Sequence, residues 1–167
     1  DNQKPEFTCS ANDPQNCQRY GGLYTWAEAM NYAKPEKGTE IQGLCPEGWH
    51  LPSDAEWTAM EQAIDPTIAT EHKDWRGKIL GNRLIAAADE WIPAALPESP
   101  CGFDALPAGS AVSGWFFYLG RGAYFWTSSP YSAAAAWSRG ILSQTAQVFR
   151  GPGDQLAGFS VRCIKNL

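Results

Sequence analysis

The chain has 167 residues, enough for one domain with a core of its own. A formal net charge of −5 leaves no basic stripe to neutralise phosphates, which argues against nucleic-acid binding, and no apolar run approaches the roughly 20 residues needed to span a bilayer. Charged residues make up only 19% and aromatics 13%, with eight tryptophans, a balance common in extracellular binding domains.

Taken in order, residues 1–19 read as an irregular polar N-terminal segment, with Cys9 and Cys17 pairing across an Asp/Asn/Pro loop. Leu23-Tyr24 reads as a short strand. Thr25 and Glu28 form a capping-box pattern, and Trp26, Met30 and Ala33 mark the buried side of a first helix that ends at Lys34–Gly38. The stretch Cys45-Pro-Glu-Gly-Trp-His-Leu-Pro-Ser-Asp-Ala-Glu-Trp57 sends Trp49 and Leu51 into the core. It repeats the capping pattern at Ser53 and Glu56. Trp57, Met60 and Ile64 recur at helical spacing beside Ala59 and Ala63, and Asp65-Pro66 stops this second helix. Leu80, Leu84, Ala87 and Ala88 suggest a further short helix over 78–88, and the prolines of 94–99 a loop.

Residues 103–108 turn into a strand. The runs 115–119 and 123–127 then read as a hairpin closed by Gly120-Arg-Gly122, followed by strands over 134–142 and 146–150. Gly151-Pro-Gly-Asp154 reads as a turn into a last strand over 158–165. Helices early and antiparallel strands late make an α+β domain over 1–167. Cys163, alone near the C-terminus, is expected to bond Cys45, and Cys101 is left over from the five cysteines. Disulfides imply an oxidising compartment.

Five ordered blocks, 20–30, 45–57, 102–109, 124–129 and 158–163, resemble the Fibrobacter succinogenes major paralogous domain family over nearly the whole chain. The resemblance implies a C-type lectin-like fold: two N-terminal helices, then a twisted, mainly antiparallel sheet with long loops. It also implies a secreted or surface-attached bacterial protein, often a lipoprotein or adhesin-like chain. The export signal or lipid anchor would then lie outside this sequence.

No catalytic residue, cofactor or metal site is expected. His50 and His72 have no second ligand at helical or hairpin spacing, and His50 reads as structural. The Glu-Pro-Asn, Gln-Pro-Asp and Trp-Asn-Asp triplets of calcium-dependent lectins of this fold do not occur. The acids Asp89, Glu90, Glu98, Asp104 and Asp154 are scattered. Cys101 has no base or cation beside it in sequence, and the active-site blocks of formylglycine-generating oxidases, which share the broader fold, cannot be placed. No nucleophile elbow or phosphate loop occurs.

Binding is the better-supported expectation. On a pleat, Ser138, Gly140 and Leu142 share one face and Arg139 and Ile141 the other, while Val148 and Arg150 oppose Gln147, Phe149 and Gly151. The expected contact face is Tyr131, Trp137, Ser138, Gly140, Leu142, Gln144, Gln147, Phe149, Gly151, Pro152 and Gly153, with small residues as floor and Trp137 and Phe149 as anchors. The arrangement is similar to variable proteins of diversity-generating retroelements. The expected function is non-catalytic recognition of a protein or glycan at the cell surface. The alternatives are a docking domain that meets other subunits of a surface or pilus assembly, and an oxidase of the formylglycine-generating type.

Overall fold

The computed structural model describes residue 4 and residues 6–35, 38–86, 90–92 and 101–167. The architecture is α+β, with short helices early and antiparallel pairing throughout the named sheets.

The N-terminal segment is more ordered than its composition suggests. After a 3₁₀ turn at Ser10–Asn12, Asp13 accepts a hydrogen bond from the Gln15 N–H and Pro14 opens helix α1 (Pro14–Tyr20). An acid cap followed by proline is a strong local start signal, because proline gives up an N–H that has no helical partner anyway. Helix α2 (Trp26–Ala29) carries the Thr25/Glu28 capping box but lasts one turn. Asn31 and Tyr32 both adopt positive φ, so the chain leaves the helix before Ala33, which is exposed.

Helix α3 (Asp54–Ile64) starts at the Ser53/Glu56 capping box and ends at Asp65. Its buried side differs from the apolar stripe expected. Trp57 is buried, but so are Thr58 and Glu61, while Ala59 and Ala63 face outward. Just before it, strand β1 (Trp49–His50) reverses another expectation: Trp49 is 39% exposed and His50 only 3%. The two alternate across a strand, and pairing with β8 (Ile164–Lys165) turns His50 inward. Bonds between Cys9 and Cys17 and between Cys45 and Cys163 are formed, the second beside the β1–β8 pair. Two disulfides suit a secreted or surface environment.

Helix α4 covers only Leu80–Leu84; Ala87, Ala88 and the expected loop at 94–99 lie outside the described residues. The expected hairpin across residues 120–122 is replaced by another. Strands β3 (Ser110–Val112) and β4 (Trp115–Phe117) pair across Ser113-Gly114, where both residues have positive φ. A two-residue turn of that hand matches the strand twist.

The main sheet has the order β2-β7-β6-β5, all antiparallel: β2 is Asp74–Arg76, β5 Gly122–Pro130, β6 Ala135–Leu142 and β7 Val148–Asp154. Gly151-Pro-Gly-Asp154 is therefore strand, not turn. Strand β2 stops at the Arg150 pair, so beyond it β7 is an edge, where proline is tolerated. Residues 158–160 make single bridges to neighbouring segments rather than a continuous strand.

The sheet separates two apolar clusters. On its inner face Ala123, Phe125, Ile141 and Val148 pack with Trp57, Leu80, Leu84, Ile85 and Trp91. On the outer face Trp126 joins Phe159, Trp26, Met30, Ile41, Cys45 and Leu51. That second cluster covers the Trp126 end of the outer face; at the other end Trp75, Phe149 and Tyr124 are half-buried.

Candidate functional site

Three features of the sheet and its surroundings carry polar or exposed aromatic chemistry. The first is a buried ionic chain on the inner face. Glu61 is fully buried and receives Arg139 Nε at 2.6 Å on one carboxylate oxygen and Arg76 on the other. Arg139 also reaches Asp54 at 2.9 Å. Asp54 in turn binds Arg150 through two bonds, of 3.0 and 2.6 Å. The geometry follows from register: Arg139 and Arg150 are direct cross-strand partners, and Arg76 pairs with the neighbouring Val148. Three guanidinium groups thus converge on the polar side of α3. Two like charges side by side on a sheet repel, so the two acids between them are required.

Burial would raise the Asp54 pKa, but the hydrogen bonds and charges of Arg150 and Arg139 outweigh it and hold the carboxyl below its ordinary value of 3.8. Asp54 therefore contributes stability that is fully present above that ordinary value. It is lost as pH falls through the lower folded value. Denaturant midpoints of wild type and Asp54→Asn, followed from neutral pH into acid, should converge as pH drops. A constant gap would remove Asp54 from the acid response.

The second feature is the rim where this chain reaches the surface. The Arg150 guanidinium lies 4.0 Å from the Trp137 ring centroid. Trp137 meets Tyr131 edge-on at 4.8 Å, and Lys73 Nζ sits 5.1 and 5.5 Å from the two rings. Trp137 pairs with Pro152 and so shares the face of Arg139 and Arg150. This corrects the expectation that Trp137 and Phe149 form one surface: an odd step along β6 puts them on opposite sides of the sheet. Tyr131, Trp137 and Pro152 belong to this rim.

The third is this other end of the outer face. Phe149 pairs with Trp75 across β7 and β2, ring centroids 5.6 Å apart. Phe149 lies down along its strand: a Cβ on Gly151 would strike its ring. Tyr124 lies over Gly140 in the same way, with a would-be Cβ 3.0 Å from its ring. Glycine at these two positions lets the rings lie flat. Tyr124 continues to Tyr118 at 5.9 Å on the exposed side and stacks on Phe159 at 5.4 Å on the buried side. Burial, then the nearby Tyr118, pushes the Tyr124 phenol up to about 12, so it stays a neutral donor. Leu142 is half-buried on the same face, and Gln144 and Gln147 are exposed in the turn between β6 and β7.

The remaining expected contact residues are internal. Ser138 is buried and donates to the Gly151 carbonyl, and Gly140, Gly151 and Gly153 are buried. A Cβ on Gly153 would strike Phe159 and Trp126, so that glycine makes room for the second core cluster. These four support the face from beneath and cannot touch a ligand. Trp75, Tyr124, Tyr118 and Lys73 were not anticipated. Alternation around Ala123 and Phe125 carried a signal for Tyr124, whereas nothing local marks Trp75 as the neighbour of Phe149.

Near β1, an open cavity of about 670 Å³ is lined by Glu40, His50, Ser53, Glu56, Ser128 and Ser129 among others. His50 places Nε2 2.8 Å from Glu56 and Nδ1 2.9 Å from Asn166. Burial opposes its charge, yet the bonds to Asn166 and Glu56 and the carboxylates of Glu56 and Glu40 leave its pKa raised. Cys101 is exposed, its thiol donating to the Arg83 carbonyl. No helix among the described residues is long and apolar enough to cross a membrane.

Among known proteins, neither the curated sequences nor the solved structures return a match. The family described as the Fibrobacter succinogenes major domain matches residues 1–165. With essentially the whole chain covered and both disulfides and both capping boxes formed within it, this protein belongs to the Fibrobacter succinogenes major domain family.

Proposed function

We propose that the chain is a non-catalytic ligand-recognition domain of C-type lectin-like architecture, displayed outside the cell on a bacterial adhesin-like protein. The observation that carries this reading is the aromatic strip on the outer face, formed by half-buried Trp75, Phe149 and Tyr124 and exposed Tyr118. Flat rings on a rigid sheet give contact area at low entropic cost, and aromatic anchors dominate interface energy. The ligand is a protein or a glycan, and the contact residues are this strip with Leu142, Gln144 and Gln147. If the face is diversified, close relatives will vary there and keep the ionic chain beneath.

Binding screens against glycan and surface-protein panels test the reading. Phe149→Ala and Trp75→Ala should each weaken a captured ligand by about tenfold or more, while Trp137→Ala should have a small effect. Unchanged affinity in the first two would place the site elsewhere. A docking role within a surface assembly is the second reading, favoured by the β3–β4 hairpin, whose Val112, Trp115 and Phe117 are exposed, Trp115 by 72%. Loss of assembly, with ligand binding intact, on Trp115→Ser would decide for it.

A further inference from the structure

The cavity beside β1 is separate from the aromatic strip and has a different chemistry. Three side chains there, Glu40, His50 and Glu56, each offer one ligand atom, all within 4.8 Å of one another. They come from different segments: the loop before Ile41, strand β1 and the first turn of α3. Asn166, from the tail after β8, faces the same imidazole. We propose that this is a binding site for a first-row divalent cation of the zinc type, with His50 Nδ1, Glu40 and Asn166 as protein ligands and Glu56 orienting the ring.

The roles follow from what each atom already does. Glu56 is held by Ser53, whose N–H and hydroxyl both donate to Oε2, leaving Oε1 to accept from His50 Nε2 at 2.8 Å. A ligating histidine characteristically donates its other N–H to a carboxylate, which fixes the tautomer and the ring plane. Nδ1 is hydrogen-bonded to Asn166 Oδ1, so a cation would displace the Nδ1 proton while Nε2 keeps its own. Asn166 Oδ1 lies 2.9 Å from Nδ1 and Glu40 Oε2 3.8 Å. Ligand atoms about 2.0–2.2 Å from one tetrahedral ion lie about 3.3–3.6 Å apart, so the exposed Asn166 and Glu40 side chains would each move by a few tenths of an ångström to share it.

Burial makes the imidazole a prepared group, since His50 is only 3% exposed. Glu40 is exposed on its loop and can adjust, and the cavity leaves room for water or an exogenous ligand to complete the coordination. Nitrogen in the donor set favours zinc, nickel or cobalt over calcium. Sequence spacing concealed the site because its ligands are brought together by the β1–β8 pair and the bridge between Ile41 and Leu51. A bound cation would clip that loop to the C-terminal tail.

Calorimetric titration of the full chain with zinc at neutral to mildly alkaline pH, and the shift of its thermal midpoint, test the assignment. One zinc per chain is expected, with a raised midpoint. Glu40→Ala and Asn166→Ala, both at exposed positions, should fold normally and weaken zinc by about tenfold or more. Glu56→Gln should weaken it by about 10–100-fold. His72→Ala, at the other histidine, should leave it unchanged. Absence of stoichiometric binding, binding lost with His72→Ala, or binding indifferent to Glu40→Ala would each overturn the site.

Discussion

Replacing Glu61 with alanine should lower the stability of the domain by about 3–5 kcal/mol, read as a fall in denaturant midpoint at unchanged slope. Glu61 has no exposed surface, and both of its oxygens are taken by buried guanidinium groups, those of Arg76 and Arg139. Arg76 Nε has no hydrogen-bond partner, and burial, with the like charges of Arg139 and Arg150, pulls its pKa down against the opposing pull of Glu61. Removing the carboxylate leaves two cations without their shared counter-ion under the centre of the sheet. Glu61→Gln keeps the volume and one acceptor but not the charge, and should cost nearly as much. A loss below about 1 kcal/mol would be the behaviour of a surface pair and would refute the role given to Glu61. The consequence extends to the aromatic faces, because Arg139 and Arg150 hold β6 and β7 against α3. Weakened ligand binding in a folded Glu61 variant would therefore be an indirect effect.

Loss of the Cys45–Cys163 bond should have an effect of similar size. The bond closes 118 residues of sequence, which on chain-entropy grounds contributes about 4–5 kcal/mol by restricting the unfolded chain. Cys45 is also buried in the second core cluster, and the bond lies beside the strand pair that joins β1 to the tail. Cys45→Ala/Cys163→Ala should shift the midpoint by that amount. The Cys9–Cys17 pair, separated by 8 residues and closing a far shorter loop, should contribute about 2–3 kcal/mol. Because domains of this size are stable by only about 5–15 kcal/mol, reduction of both bonds should bring the chain close to unfolding. Equal losses for the two pairs would contradict the loop-length argument.

The parts legible in the sequence are those whose causes lie within a few residues. Both capping boxes and the helix stop at Asp65-Pro66 were readable because the serine or threonine, the glutamate and the backbone they satisfy are four residues apart or fewer. The pairing of Cys45 with Cys163 was readable for a different reason: few cysteines and one at the far end leave little choice. Strand positions in the second half followed from alternation, but their ends did not. Proline and glycine at 151–153 look like a turn unless it is known that β7 has lost its outer neighbour there.

By itself, the sequence determined the family, the α+β class, the staple between head and tail, and the local starts and stops of helices. Only the tertiary structure decided which side of the sheet each large residue faces with whom. Trp137 went to the arginine side and Phe149 to the opposite side, with Trp75 and Tyr124. It also decided that Glu61, an acid between Met60 and Gln62, has no exposed surface, and that His50 rather than Trp49 turns inward. The physical reason is common to all three. A charge or a ring is stabilised by partners within a few ångströms, and here those partners include ones 15, 78 and 116 residues away along the chain, where no local pattern can announce them.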